Sequence, residues 1–301
     1  MPDRRHLALI LIALAAPAGA EPVAQHLATH IWRHDDSQFG GFSGIEITGD
    51  GTRFHALTDR AHLFTGRIDR DAAGRITELH IEDRAHLSDR DGTPLPAGHL
   101  GDSEGLAVAP DGRVWVSFEG LHRVVGYDDP HGPSDPLPRP PVLPGLGANS
   151  GFEALALRDD GALVIVPERS ASVTTPFTVL AFQDGAWTEM TQIRRDGNWL
   201  PVGADYGPDG RFYLLERDFL GPLGFRSRLR SMVLDAEGPQ DEHVLIESAP
   251  MQFDNLEGVS VWGSPDDLRV TMISDDNFLF LQRTEIVEYR ITRSDRQAQG
   301  N

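Results

Sequence analysis

The stretch Gly101–Gly105 reads G-D-S-E-G and offers two kinds of chemistry. It matches the G-x-S-x-G pattern of a serine nucleophile, which requires Ser103 to stand at a sharp turn between a strand and a helix. The residues that follow, G-L-A-V-A-P, are instead typical of a β-strand. We therefore favour Glu104 over Ser103 as the functional residue of this stretch.

Glu104 belongs to a unit that occurs five times in the chain. The unit is an apolar strand, a turn rich in Asp and Gly, a second apolar strand and an acidic residue. Its copies begin at Ser43, Glu104, Glu153, Val202 and Glu257 and are spaced by 61, 49, 49 and 55 residues. Such a spacing is typical of the blades of a β-propeller.

Carboxylates recur at both ends of this unit. Three copies carry Glu at or next to the start of the first strand (Glu104, Glu153 and Glu257), and all five carry an acid at the end of the second strand (Asp59, Glu119, Glu168, Glu216 and Asp275). In an antiparallel hairpin, the start of one strand lies beside the end of the next. We therefore expect both sets at the same end of each hairpin, with the three Glu residues around one mouth of the central channel.

Several carboxylates gathered at one mouth would repel one another. Two unit charges 4 Å apart repel by about 4 kcal/mol at an effective dielectric constant near 20. A hard cation relieves this repulsion, and Ca²⁺ binds about six to eight oxygen ligands. The predicted calcium ligands are Glu104, Glu153, Glu257, Asn255, Asp275 and Asp276. The alternative is that these acids are solvated residues at strand ends.

Arginines follow three of the strand-end acids directly. Arg60, Arg169 and Arg217 come after Asp59, Glu168 and Glu216. A guanidinium group can neutralise a neighbouring carboxylate or bind an anionic group of a substrate. We therefore predict that these three arginines bind the substrate.

The elements that must position these residues are all β-strands. Each copy reads as a β-hairpin, because Asp-Gly between apolar runs is a strong signal for a short turn. Further apolar runs, such as R-V-V-G-Y-D-D and the run near Val142 after the second copy, raise the count to four strands per unit. The sequence therefore predicts an all-β fold, a five-bladed β-propeller closed by the N-terminal strand V-A-Q-H-L-A-T-H-I-W-R. Six blades remain an alternative if the long first interval hides an irregular unit.

Composition and charge exclude several classes of function. The chain of 301 residues contains no Cys and no Lys, so thiolate metal sites, Schiff-base lysines and Walker A loops are absent. Its formal net charge of −19 argues against nucleic acids and anionic membranes as partners. We expect a small molecule as partner, and no membrane insertion.

The N-terminus has the features of an export signal. Arg4 and Arg5 precede the short apolar run Leu7–Ala16, and Ala18-Gly19-Ala20 matches an A-x-A cleavage site. Residues 1–20 are therefore predicted to be a signal peptide cleaved near Ala20/Glu21. Residues 21–301 are predicted to form a single propeller domain in a periplasmic or secreted protein.

The repeated stretches also resemble a known family. S-G-I-E-I-T-G-D-G-T-R-F-H-A-L-T-D-R, D-S-E-G-L-A-V-A-P-D-G-R-V-W-V-S-F-E, G-F-E-A-L-A-L, Y-G-P-D-G-R-F-Y-L-L-E-R-D and D-N-L-E-G-V-S-V-W with I-S-D-D-N are similar, in this order, to the family of phytase-like exported propellers described by an esterase-like activity of phytase. The resemblance covers about Phe39 to Arg293. It implies a propeller that hydrolyses esters or phosphoesters. The absence of Lys departs from the phosphate-binding pocket of true propeller phytases and argues against phytate as the substrate.

These observations predict a calcium-dependent hydrolase of a small, anionic ester or phosphoester. Glu104, Glu153 and Glu257 would serve as metal ligands or as the general base. Two alternatives stay open: a propeller that binds a ligand or protein without catalysis, and a lactonase of the gluconolactonase type. The lactonase alternative rests on Asn149, Asn255 and Asn277, since such enzymes place acids and Asn on a central metal.

Overall fold

The computed structural model describes residues 21–147, 150–279 and 281–293. The predicted signal peptide, residues 1–20, and Asn149 lie outside the described residues. Within the described ranges there is no helix whose length and apolar character would let it cross a membrane. One turn of 3₁₀ helix, Gly221–Leu223, is the helical element described there.

Twenty strands make up the described part of the chain. In chain order they are β1 (Pro22–Ile31), β2 (Phe42–Ile47), β3 (Arg53–Thr58), β4 (His62–Arg70), β5 (Ile76–His86), β6 (Ser103–Val108), β7 (Val114–Phe118), β8 (Arg123–Tyr127), β9 (Asp135–Pro136), β10 (Ala154–Leu157), β11 (Leu163–Val166), β12 (Phe177–Gln183), β13 (Ala186–Ile193), β14 (Leu200–Tyr206), β15 (Phe212–Phe219), β16 (Phe225–Asp235), β17 (Gly238–Glu247), β18 (Asn255–Ser264), β19 (Asp267–Asp275) and β20 (Glu285–Arg293).

The strands form five antiparallel four-stranded sheets, which are the blades of a propeller. Blades 1 to 4 are β2–β5, β6–β9, β10–β13 and β14–β17, and blade 5 is β18–β20 with β1 as its outer strand. Strand β1 pairs with β20 from Pro22–Arg293 to Ile31–Glu285, so the N-terminal strand closes the ring. The prediction of five blades with this closure is confirmed. The run near Val142 is not a strand: the fourth strand of blade 2 is the short β9, and Val142 is exposed.

The Asp-Gly turns explain why the unit recurs. In the hairpin of blade 2, Gly112 has φ +91°, a left-handed conformation that favours glycine. The Asp111 side chain accepts a hydrogen bond of 3.1 Å from the Arg113 amide and fixes the start of the next strand. The corresponding glycines of blades 1, 3 and 4 (Gly51, Gly161 and Gly210) also have positive φ.

The hydrophobic core is divided among the blade interfaces. Five clusters of buried side chains each join one pair of adjacent blades, and the cluster between blades 5 and 1 includes Trp32, directly after the closing strand. Every blade therefore buries both of its faces only when the ring is complete, since an isolated sheet would leave both faces in water.

Glycines on the inner strands let neighbouring blades approach closely around the channel. A Cβ on Gly105 would lie 2.6 Å from the Cβ of Leu155 in blade 3, and one on Gly203 would lie 2.4 Å from the carbonyl oxygen of Glu257 in blade 5. Only about 10 Å³ of free space remains at this level of the channel. The glycines therefore form the floor of the wider space above them, where the inner strands begin.

Candidate functional site

An acidic cavity of about 460 Å³ lies at the end of the propeller where the inner strands begin. It is lined by Asp59, Asp102, Glu104, Glu119, Glu153, Glu168, Arg169, Leu200, Arg217, Phe219, Phe225, Asn255, Glu257, Asp275 and Asn277. Eight carboxyl groups thus share the cavity with two guanidinium groups. A concave surface with this excess of one charge attracts cations.

The antiparallel pairing of the first two strands of each blade brings the two acid sets together. In blade 5, Asn255 at the start of β18 pairs with Asp275 at the end of β19. In blade 2, the amide of Glu119 donates a hydrogen bond of 2.9 Å to the carbonyl of Asp102, next to Glu104. The hairpin geometry therefore places the start and the end of each unit at the same cavity wall.

Three carboxylates of blade 2 lie close enough to share one cation. Oxygen atoms of Asp102, Glu104 and Glu119 all lie within 4.8 Å of one another, and each of these residues is partly buried. In the adjacent blade 1, one carboxylate oxygen of Asp59 is buried without a hydrogen bond and lies 3.9 Å from Nε of Arg60. An all-oxygen donor set fits a hard cation such as Ca²⁺ and suits zinc poorly.

Arg217 is the cation that the protein itself places among these acids. Its guanidinium group pairs with Glu257, donates a hydrogen bond of 2.9 Å to Asn255 and lies 3.6 Å from Glu168. The Asn255 amide also donates to Glu257 at 2.7 Å. Arg217 therefore neutralises the side formed by blades 3 to 5, while the carboxylates of blade 2 have no arginine at such short range among the ion pairs of the described residues.

Burial and mutual repulsion shift the titration of the cavity acids upwards. Burial, followed by the neighbouring charges of Glu153 and Glu257, raises the pKa of Glu104 well above its ordinary value. Burial and the adjacent Asp102 raise the pKa of Glu119 to about 7, and burial with the charge of Glu257 raises that of Asp275 to about 8. Without a cation, the cavity therefore retains protons that isolated carboxylates would lose.

Most of the sequence-predicted site residues meet in this cavity. The structure brings together Glu104, Glu153, Glu257, Asn255, Asp275, Arg169 and Arg217.

Two predicted residues are placed elsewhere. Arg60 stacks on the ring of Phe278, with its guanidinium carbon 3.3 Å from the ring centroid. Asp276 accepts hydrogen bonds from the Gly41 amide at 2.9 Å and the Thr284 hydroxyl at 3.1 Å. Asp276 therefore connects the loops around the cavity and does not line the cavity wall.

Blade 4 departs from the pattern of the other blades. Its strand-end acid, Glu216, is fully buried inside the blade, where it binds Arg230 at 2.7 Å and Arg228 at 2.8 Å. The next residue, Arg217, faces the cavity instead. The pairing of Arg217 with Glu216 suggested by their adjacency is therefore wrong, because neighbouring residues in a strand point to opposite faces.

Ser103 has a structural role. Its side chain is fully buried, donates a hydrogen bond of 2.6 Å to the Thr58 carbonyl and accepts one of 3.0 Å from the Ala61 amide. It begins β6 rather than a helix. Ser103 therefore ties blade 2 to blade 1, and the local geometry of a nucleophile elbow is absent.

Four cavity acids are missing from the site predicted from the sequence: Asp59, Asp102, Glu119 and Glu168. Asp59, Glu119 and Glu168 carried the strand-end signal, which also fits solvated turn residues, and they were not assigned to the site. Asp102 carried no repeat signal, since its equivalents in the other copies are not acidic. Asp102 is identified as a cavity residue only by its position beside Glu104 in the structure.

The comparisons with known proteins agree with this architecture. A family model described as "Phytase-like: Esterase-like activity of phytase" matches residues 37–278. A search of curated proteins found no match.

Solved structures with a similar fold include two arabinofuranosidases. The catalytic domain of an α-L-arabinofuranosidase from Coprinopsis cinerea has a TM-score of 0.54 and 14% identity, over 93% of this chain and 99% of that chain. An α-L-arabinofuranosidase from Podospora anserina has a TM-score of 0.52 and 13% identity, over 92% and 98%. A gluconolactonase from Xanthomonas campestris has a TM-score of 0.41 and 14% identity, over 82% and 72%. At these identities the likeness to the arabinofuranosidases extends to the fold alone.

Proposed function

Since the chain belongs to the phytase-like family described by the esterase-like activity of phytase, we propose that it hydrolyses a small ester or phosphoester in the acidic cavity, with calcium as its cofactor. The observation that carries the proposal is the convergence of eight carboxyl groups on one cavity, three of them with oxygens within 4.8 Å of one another. Such a cluster favours a bound divalent cation over the empty state.

The side chains divide into three roles. Asp102, Glu104 and Glu119 would hold the cation. A calcium ion bound there would polarise the carbonyl or phosphoryl oxygen of the substrate and would lower the pKa of water. Arg169, half exposed at the rim, binds a negative group of the substrate.

Glu153 is the group that we assign as the general base. Its charge interacts with those of Arg217 and Glu119, and only 9% of its surface is exposed. As water attacks the ester carbon, Glu153 accepts its proton. The bond from that carbon to the leaving oxygen then breaks, and the proton passes to the departing alcohol. Glu257, held by Arg217 and Asn255, keeps the wall opposite Glu104 in position.

The proposal also includes export. Residues 1–20 have the composition of a cleavable signal peptide, so the substrate would be met in the periplasm or outside the cell. An exported protein meets calcium at a higher concentration than a cytosolic one, so even a weak calcium site would be occupied there.

The experiment is a hydrolysis screen of purified protein with added calcium or with EDTA. The panel contains carboxylic esters, phosphoesters and lactones. We expect calcium-dependent turnover of at least one ester class and a loss of about 10²- to 10⁴-fold in kcat for Glu153→Gln. Glu237→Gln, an exposed change in the β16–β17 turn, serves as the matched control and should leave turnover unchanged.

Two results would contradict the proposal. Turnover that is the same with calcium and with EDTA would exclude the cofactor, and full activity of Glu153→Gln would exclude the assigned base. If no ester is hydrolysed while calcium still binds, the acidic cavity would serve ligand binding without catalysis.

A further inference from the structure

The cavity has one apolar sector, and it comes from a single blade. Leu200, Phe219 and Phe225 are the large apolar side chains among the lining residues, and all three belong to blade 4. The eight carboxyl groups come from blades 1, 2, 3 and 5, either from their strands or from the loops next to them. A ligand in the cavity therefore meets carboxylates on most sides and hydrocarbon on one.

Blade 4 places no acid in the cavity at either end of the repeated unit. Val202 stands where blades 2, 3 and 5 carry Glu, and Arg217 faces the cavity while Glu216 is buried inside the blade. The guanidinium carbon of Arg217 lies 5.7 Å from the centroid of the Phe225 ring. This sector therefore combines one positive charge with aromatic surface.

The apolar sector continues out of the cavity to the solvent. Phe219 and Phe225 pack with ring centroids 4.9 Å apart, yet 63% of the surface of Phe219 is exposed. Leu223, in the turn between them, and Met251, in the next loop, are 61% and 69% exposed. We call Leu200, Phe219, Leu223, Phe225 and Met251 the blade 4 platform.

Backbone hydrogen bonds hold the platform in shape. The Leu220 amide donates to the Gly224 carbonyl at 2.8 Å, which closes the turn, and the Met251 amide donates to the Phe225 carbonyl at 2.9 Å. Met251 also packs over Gly224, since its Cγ lies 3.0 Å from the place where a Cβ would stand. Large apolar side chains fixed in water at the edge of a cavity are typical of a surface that binds an apolar group.

We propose that the substrate is amphipathic: an aromatic or medium-chain acyl group lies on the blade 4 platform while the reacting ester or phosphoester lies among the carboxylates. The occupant is the apolar part of the substrate because the platform is continuous with the cavity wall, and Arg217 stands where the two regions meet. This inference rests on the proposed function for the location of the reacting group.

Ligand binding can be measured without catalysis, so it tests this inference separately from the proposed function. Isothermal titration calorimetry in the presence of calcium compares 4-phenylbutylphosphonate with methylphosphonate, two anions that share a head group and that the protein cannot hydrolyse as esters. We expect the phenylbutyl compound to bind at least 10-fold more tightly to the wild-type protein. In Phe219→Ala this ratio should fall to about threefold or less.

Variants define the place of binding. Phe219→Leu keeps an apolar side chain and should retain part of the preference, whereas Val244→Ala, an exposed change on the outer strand β17, should retain all of it. Because each variant is judged by the ratio of two ligands, a general loss of stability does not imitate the effect. Equal or undetectable binding of both phosphonates to the wild-type protein would overturn the inference, and so would a preference that survives Phe219→Ala unchanged.

Catalysis gives the second measurement. Release of protons from methyl acetate, methyl octanoate and methyl phenylacetate should give kcat/KM values at least 10-fold higher for the two larger esters. Hydrolysis of all three at equal rates would leave the proposed function standing and overturn the platform. A phosphonate preference without any ester hydrolysis would support the platform and contradict the proposed function.

Discussion

The substitution Glu104→Gln should change the stability of the protein in opposite directions with and without calcium. In EDTA, the variant removes one negative charge from a cluster whose oxygens lie within 4.8 Å of one another. Two full charges at that distance repel by about 3.5 kcal/mol at an effective dielectric constant of 20. The raised pKa of Glu104 means that part of this repulsion is already relieved by protons. We therefore expect the variant to be more stable than wild type by on the order of 1 to 2 kcal/mol in EDTA.

With calcium, the wild type should become more stable than Glu104→Gln, because calcium stabilises the wild type more than it stabilises the variant. At a concentration 100-fold above its dissociation constant, a ligand that binds only the folded state adds about 2.7 kcal/mol to the free energy of unfolding. If the lost ligand weakens binding 100-fold, the same calcium concentration equals the dissociation constant of the variant and adds about 0.4 kcal/mol. The calcium-dependent gain of the variant should therefore be only about one sixth of the wild-type gain.

Urea unfolding followed by tryptophan fluorescence measures both quantities. Calorimetric titration first gives the wild-type dissociation constant for calcium, which sets the concentration for the unfolding curves. Glu237→Gln should match wild type in both media. A Glu104→Gln variant that is less stable than wild type in EDTA, yet gains as much from calcium, would refute the idea that Glu104 belongs to a repelling cluster that a cation relieves.

Three further predictions concern residues around the cavity and below it. Ser103→Ala should keep kcat within about twofold but lower the free energy of unfolding by about 1 to 3 kcal/mol, because the Thr58 carbonyl loses its buried partner. Burial raises the pKa of Asp205 from 3.8 to about 7. The protonated carboxyl group therefore stabilises the folded state, and this stabilisation is lost as the pH rises from about 3.8 to about 7. Asp205→Asn should therefore gain stability relative to wild type by up to about 1.4 kcal/mol per pH unit over that window, measured by urea unfolding at pH 5 and pH 7. Gly105→Ala should cost about 1 to 3 kcal/mol in the same assay, since its Cβ would stand 2.6 Å from that of Leu155.

Each of these three predictions has a control variant or a result that would contradict it. A loss of more than about 10³-fold in kcat for a folded Ser103→Ala variant would restore the serine mechanism. Asp91→Asn, at an exposed loop position, is the control for the pH series, and parallel pH profiles of wild type and Asp205→Asn would contradict the assignment. Gly49→Ala has no atom within 4 Å of the new Cβ and should be neutral. A neutral Gly105→Ala would mean that the blades are not packed as closely as the glycines indicate.

The sequence by itself determined the architecture, because a repeated hairpin carries its own evidence. Each Asp-Gly turn needs a left-handed glycine and a side chain that accepts a hydrogen bond, so the turns are visible in every copy except the last, which has longer strands and no Asp-Gly pair. The number of copies predicted five blades, and an unassigned strand before the first copy predicted the closure of the ring. The antiparallel pairing of each hairpin was enough to predict that Glu104, Glu153 and Glu257 approach one another.

Only the tertiary structure decided which of the strand-end residues face the cavity. A change of one position moves a side chain to the other face of a strand, so Arg217 lines the cavity whereas Glu216 is buried inside the blade. Arg60 follows Asp59 in sequence but stacks on Phe278, a residue from the far end of the chain. Asp102 and Phe219 have no signal in the repeat, because their roles depend on loops that converge from different blades. Local pattern therefore predicts the strands, while the contacts between distant loops determine the chemistry of the cavity.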